Sequence, residues 1–176
     1  MKFEPTLLEG AYLIELEPLA DGRGFFARSF CQREFFQHGL NTNFVQANVA
    51  VSSYPGILRG LHFQISPNAE VKLVRCTRGT IFDVIVDLRP DSPTYCKWAS
   101  FQLGAEDYRT VYVPEGFAHG YQTLEPNSEV TYMVSEFYEP SSERGVRWND
   151  PAFGIKWPIS NPILSPKDRD RDDFKP

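Results

Sequence analysis

The chain is poor in the residues that announce a metal or redox protein. Its three cysteines, Cys31, Cys76 and Cys96, are odd in number, widely spaced and without a C-x-x-C pair. That argues against a zinc or dithiol motif and leaves reduced, partly buried thiols as the plain reading. Histidine is as sparse, at positions 38, 62 and 119. A histidine metal site wants several close ligands, and here the spacing supplies none, so no metal is expected. Basic charge is in deficit too, with Lys and Arg at 18 against Asp and Glu at 23 and a net charge of −5. A phosphate backbone needs a basic surface, so nucleic acid is a poor partner. A small anion stays admissible, because a pocket can gather a few cations inside an acidic protein. No apolar run reaches the roughly 18 residues of a membrane-spanning helix. The N-terminal MKFEPTLLEGAYLIELEP carries acids and Pro5 where a signal peptide has a basic start and an apolar run, so a cytoplasmic protein is expected.

What is present is an ordinary globular balance, rich in rings. Hydrophobic residues make up 41% and charged residues 23% of 176. That length suits one domain over residues 1–176, burying roughly 70% of its unfolded surface without disulfide or metal. Aromatics reach 14%, the composition of a β core. Fourteen Pro and twelve Gly separate short β-like runs. These are 11–16, 45–51, 58–64, 71–77, 81–87, 98–103, 110–113, 121–124 and 130–137, with turn signals such as Arg78-Gly79 and Pro114-Glu115-Gly116 between them. Many short strands of this kind predict an all-β sandwich, jelly roll or barrel. One short helix is expected at 32–38, with Ser29 as a nearby cap and Gly39 as its stop.

Alternation places Lys72, Val74 and Cys76 on one face of their strand and Leu73, Arg75 and Thr77 on the other. Charge on both faces points to one of them lining a wet cavity. In the neighbouring run, Asp83, Ile85 and Asp87 oppose Phe82, Val84 and Val86. Past Pro140 the chain reads as looser, and LSPKDRDRDDFKP reads as a solvated tail. His38, at the end of the helix beside Gly39, suits the helix dipole and reads as structural. His62 interrupts the apolar run Ile57-Leu58-Arg59-Gly60-Leu61-His62-Phe63-Gln64, and His119 sits in a turn leading into a strand. Composition alone leaves both as core or rim histidines.

The motifs decide more than the composition. Gly56-Ile57-Leu58-Arg59-Gly60-Leu61-His62-Phe63-Gln64 closely resembles the core motif of the dTDP-4-dehydrorhamnose 3,5-epimerase family. So do Lys72-Leu73-Val74-Arg75, Gly79-Thr80-Ile81-Phe82-Asp83-Val84, the run from Asp87 to Thr94, and Val113-Pro114-Glu115-Gly116-Phe117-Ala118-His119-Gly120. Trp148-Asn149-Asp150-Pro151 and Leu164-Ser165-Pro166-Lys167-Asp168 are similar to its closing motifs. Together they run from about Asp21 to Asp168 in the family's order and spacing. The resemblance implies a cupin-type jelly roll, a homodimer, and no metal or organic cofactor. It also implies epimerisation at C3, C5 or both of a nucleotide-diphospho-4-keto-6-deoxy sugar, dTDP-4-dehydro-6-deoxyglucose first among them.

A C–H beside a ketone is acidic because the enolate spreads charge onto the carbonyl oxygen. Inverting that carbon needs a base on one face, an acid on the other and a cation near the oxygen. The resemblance assigns the base to His62, the acid to Tyr132, and the carboxylate behind the base to Asp168, with Asp83 as second candidate. Lys72 and His119 resemble residues lining the sugar and enolate pocket, and Arg23 and Arg59 look like diphosphate ligands, whose fork suits phosphate oxygens. Gln46, Asn48, Glu143 and Lys167 fall on substrate-contact positions, and Tyr138 on one suited to stacking on a base. For Lys167 and Asp168, though not for the residues beyond, this replaces the solvated-tail reading. Arg59 and His62, three apart, fall on opposite faces of a regular strand, so a bulge or bend at Gly60 is predicted.

Two positions depart from the family pattern. Arg28 stands where the family usually carries a nucleotide-contacting Glu. A fixed donor there favours acceptor edges such as those of cytosine or guanine, or else contacts phosphate or solvent. Met133 stands where many members have Lys, which raises altered chemistry beside Tyr132 and a single-centre epimerase. Two alternatives remain beside the epimerase: a ketoisomerase or dehydratase acting on a CDP- or GDP-linked sugar, and a non-catalytic sugar-nucleotide-binding or metal-sensing cupin.

Overall fold

A computed structural model describes residues 1–175. The chain forms β1 (Lys2–Pro5), β2 (Tyr12–Glu15), β3 (Leu19–Asp21), β4 (Gly24–Phe26), α1 (Gln32–Gln37), β5 (Gln46–Ser52), β6 (Leu58–Gln64) and β7 (Lys72–Arg78). Then follow β8 (Thr80–Asp87), β9 (Trp98–Gly104), β10 (Thr110–Val113), β11 (Phe117–Thr123), β12 (Ser128–Val134), β13 (Glu143–Gly145) and α2 (Pro166–Arg169). A six-stranded antiparallel sheet in the order β1-β2-β10-β7-β12-β5 faces a five-stranded one in the order β13-β6-β11-β8-β9. A separate hairpin of β3 and β4 stands outside both. This is the mostly β architecture that the turn-punctuated sequence predicts and the jelly roll that the resemblance implies, with a second short helix, α2, beside the expected one.

Side-chain alternation sorts the residues into three layers. Val74, Cys76, Ile81, Ile85, Leu103, Val111 and Val130 meet between the two sheets. Val84, Val86 and Ala118 point out of the five-stranded sheet and are covered by Val146, Phe153 and Ile155 from the chain after β13. Phe30, Phe35 and Phe44, in and around α1, cover part of the outer face of the six-stranded sheet, against Leu73 and Tyr112. Both sheets therefore have a second apolar face, which is where the surplus of aromatic residues goes.

Several expectations are corrected. The residue before α1 is Cys31, not Ser29, and no side chain caps the helix. Gly39 does follow it, at φ +68°, a left-handed turn that suits glycine. The strand read from Tyr121 begins at Phe117, so His119 lies within a fully buried strand rather than a turn. The residues beyond Asp168 are not simply solvated: Phe174 packs tilted against Phe153 with ring centroids 5.3 Å apart, and Arg147 pairs with Asp173 at 2.6 Å.

The bend at Gly60 is present. Across β11 and β6, His119 faces His62 while Tyr121 faces Arg59, so β6 carries one extra residue between them. Gly60 sits at φ +129°, and a Cβ there would lie 2.5 Å from the Cα of Gly120. Two glycines back to back let the strands approach, and the bulge turns Arg59 and His62 to one side.

Candidate active site

Between the sheets lies a cavity of about 470 Å³ whose lining includes Arg59, His62, Lys72, His119, Tyr121, Tyr132, Glu143, Lys167 and Asp168. A second hollow of about 420 Å³ shares His62, Lys72, Tyr132 and Glu143, and adds Gln46, Asn48, Glu70 and Tyr138. The two form one continuous cleft. Its walls belong to different sheets: His62 and His119 stand on β6 and β11, and Lys72 and Tyr132 on β7 and β12 opposite.

His62 Nε2 lies 2.5 Å from Asp168 Oδ1. The imidazole is one-third exposed while the carboxylate is 5% exposed, so the ring faces the cavity with its partner behind it. Burial opposes charge on Asp168, yet the His62 hydrogen bond, the Ser165 hydroxyl and the Gly60 backbone outweigh it and hold its carboxyl below the usual range. A carboxylate placed so fixes the imidazole's orientation and stabilises its protonated form. Asp83, the other candidate for this role, instead holds His119, with Oδ2 2.7 Å from Nε2. The cleft thus carries two separate histidine–aspartate pairs, on neighbouring strands.

On the facing wall, Tyr132 is raised above the ordinary tyrosine pKa, first by burial, then by Glu70, with Arg59 pulling the other way. It therefore keeps its proton at neutral pH. Lys72 is 9% exposed and its ammonium lies 3.1 Å from Glu70. At the rim, Glu143 accepts from Tyr138 at 2.6 Å, from Lys167 at 2.6 Å and from Arg171 at 3.1 Å. Burial works to raise Glu143, but Lys167 and Tyr138 win and bring its carboxyl down to about 2. Arg59 is held by Ser52 Oγ and the Val51 carbonyl, each at 3.2 Å.

The sequence-derived residues His62, Tyr132, Asp168, Lys72, Gln46, Asn48, Arg59, His119, Tyr138, Glu143 and Lys167 are therefore gathered in one cleft. Arg23 and Arg28 are not. Arg23 projects from the β3–β4 hairpin, 90% exposed and paired with Asp21 at 2.6 Å. Arg28 lies 61% exposed, 4.0 Å from Glu34 and outside the cleft. Met133 points to the opposite face from Tyr132 and packs near Leu73 and Phe35. Sequence reasoning missed Tyr121, whose buried hydroxyl is pushed up to about 12, chiefly by burial. Alternation from His119 would have placed it in the cleft had the strand been started at Phe117. Glu70 and Arg171 carried no sequence signal. Among the described residues, no group of three or more His, Cys, Asp or Glu side chains is arranged to hold a metal ion. Among the same residues, no helix is long and apolar enough to cross a membrane.

Comparison with known proteins agrees with this geometry. The family model for dTDP-4-dehydrorhamnose 3,5-epimerase matches residues 5–176. A dTDP-4-dehydrorhamnose 3,5-epimerase of Shigella flexneri is 44% identical over 164 residues, 93% of this chain and 90% of the relative. A dTDP-4-dehydrorhamnose 3-epimerase of Streptomyces niveus is 39% identical, over 97% of this chain and 82% of its own. The crystal structure of the Bacillus anthracis 3,5-epimerase with TDP and pyrophosphate bound superposes with a TM-score of 0.95 at 44% identity, covering 98% of this chain and 99% of that one.

Proposed function

Since the chain belongs to the dTDP-4-dehydrorhamnose 3,5-epimerase family and is an isomerase of that kind, we propose that it converts dTDP-4-dehydro-6-deoxyglucose to dTDP-4-dehydrorhamnose by inverting C5 and C3 in turn. His62 removes the proton from the carbon beside the C4 ketone, and the electron pair of the broken C–H bond moves onto the ketone oxygen. Lys72 and His119 stabilise that enolate oxygen. Tyr132 then delivers a proton to the opposite face of the same carbon, leaving a phenolate while His62 holds the abstracted proton. Exchange with solvent resets both groups.

One observation carries this reading: a one-third exposed histidine backed by a buried carboxylate faces a proton-bearing tyrosine across a single cleft. Base and acid on opposite walls are what inversion of a planar enolate carbon requires. Arg59 takes the diphosphate with the guanidinium edge that Ser52 and Val51 leave free. Glu143, Lys167, Gln46 and Asn48 contact sugar and nucleotide, and Tyr138 stacks on the base. The enzyme acts as a homodimer, which gives the exposed hairpin bearing Arg23 a site to serve.

The test is turnover in deuterated water, with C3 and C5 followed by NMR. Solvent deuterium at both carbons is expected, lost by at least about a hundredfold in His62→Ala. Tyr132→Phe should slow net inversion more than the first exchange. Exchange confined to C3 would make the enzyme a single-centre epimerase. A product whose carbonyl has moved would make it a ketoisomerase, and binding without exchange would make it a non-catalytic binder. Faster turnover of CDP- or GDP-linked substrates would overturn the nucleotide.

A further inference from the structure

Asp168 stands on α2, a helix of four residues. A single turn has no stability of its own in water, so what holds the aspartate against His62 must come from outside it. Before α2, Ile163 bridges to Ile57, tying the chain to the start of β6. After it, Arg171 turns back toward the cleft. Its Nη2 donates to Glu143 Oε1 at 3.1 Å, and its side chain is 18% exposed. The guanidinium lies over Gly145, where an added Cβ would come within 2.8 Å of Arg171 Cζ and Nε. Gly145 is the β13 residue paired with His62 itself.

Resting on the reading of His62 as base and Asp168 as its partner, we propose that Arg171 is a positioning residue. Seated in the slot left by Gly145 and gripped by Glu143, it locks the segment carrying Asp168 onto the strand carrying His62. Glu143 grips one residue before Asp168, Lys167, and one after it, Arg171, but Lys167 is 58% exposed and its bond is screened by solvent. Arg171 is the shielded one of the two. Its Nε is buried without a hydrogen-bond partner among the described residues, so hydrogen bonding alone does not fix the side chain's position. The flat slot and the carboxylate define it together. Farther along, the Phe174 backbone N–H donates to Asp150 at 2.5 Å and its ring packs near Tyr95 and Phe153, so Arg171 is the first of several ties and the one nearest the base.

Arg171→Gln keeps a donor but loses the charge and the fork, and Arg171→Lys keeps the charge. Exchange of the substrate C–H in deuterated water reads the base directly, and calorimetry with dTDP reads nucleotide binding separately. We expect Arg171→Gln to slow exchange about tenfold, with dTDP affinity within about twofold of wild type, since a misplacement of a fraction of an ångström at the base is enough. Arg171→Lys should recover part of the loss. In an Asp168→Asn background, Arg171→Gln should slow exchange no further, because its effect passes through Asp168. An unchanged exchange rate in Arg171→Gln overturns the lock. So does an undiminished tenfold loss on top of Asp168→Asn, or a parallel loss of dTDP affinity. If Asp168→Asn itself exchanges at the wild-type rate, the reading of Asp168 as the base's partner falls first; if only Asp168→Asn is slow, the lock alone falls.

Discussion

At the scale of single residues, the cleft is set by which carboxylate each cation or histidine finds. Asp168 and Asp83 are both plausible behind His62 on sequence grounds, and only topology separates them: β8 runs beside β11, so Asp83 meets His119, while the chain after β13 returns to meet His62. Burying three of the acids with their partners has a thermodynamic consequence. Glu143 falls from an ordinary 4.5 to about 2, and Asp87, enclosed by Arg89, Ser92 and Thr94, from 3.8 to about 2. In both, burial pushes upward and hydrogen-bonding partners overcome it. A folded-state pKa below the unfolded one means that the unfolded chain binds more protons in between. Their stabilisation is therefore complete above about pH 4.5 and is lost as pH falls through the folded values toward 2, with Asp168 adding in the same direction. Urea midpoints should be flat from pH 7 to 5 and fall steeply below pH 4. Glu143→Gln should flatten that acid slope while lowering stability at pH 7. A slope unchanged by the substitution would mean that Glu143 gains nothing from its cations.

At the scale of elements, the strands were legible because their alternation is strong. Leu58–Gln64 and Thr110–Val113 match the sequence reading to the residue. The bulge could be foreseen from Arg59 and His62, since two polar residues three apart can share a face only if a residue is spare. What could not be foreseen is that the bulge takes its room from a second glycine on β11. The three-residue strands β3, β4 and β13 are too short to show a period, and α2 is held by contacts distant in sequence, so none of them was legible. The paired glycines give a sharp expectation. A Cβ on Gly120 would lie 2.7 Å from the Arg59 carbonyl oxygen, a backbone atom that cannot swing away. Gly120→Ala should cost about 2 kcal/mol in urea unfolding by overpacking. It should reduce turnover beyond that, because His119 is the adjacent residue and the clash falls on the bulge that aims His62. Gly22→Ala, with nothing of its own chain within 4 Å, is the control for stability and should leave the urea midpoint unchanged. Equal effects from the two would refute the close-packing account.

At the scale of the molecule, one chain leaves a feature that its own fold does not explain. The β3–β4 hairpin consists of two three-residue strands exposing Leu19 at 71% and Phe26 at 68%, with Phe25 edge-on to Tyr108 at 4.9 Å. So small a ribbon is not stable by itself in water, and apolar side chains clustered on it call for a cover. The free edge of the six-stranded sheet, β5, also turns Val49 and Val51 outward, 65% and 48% exposed. The family pattern assigns Arg23 to the diphosphate, yet in its own chain Arg23 stands outside the cleft, bound to Asp21. A homodimer in which the hairpin of one copy reaches the cleft of the other removes both difficulties together. The consequence can be tested by complementation. Arg23→Ala should be impaired in substrate affinity and His62→Ala inactive, each through a different subunit of the same site. Co-expressed, half of the dimers are mixed by statistics, and each mixed dimer holds one intact cleft. Activity should therefore return to about a quarter of wild type at substrate levels where Arg23→Ala alone is nearly silent. If Arg23 served its own subunit's cleft, mixing would leave only the sum of the two separate activities. A chain that sediments as a monomer at micromolar concentration would remove the premise.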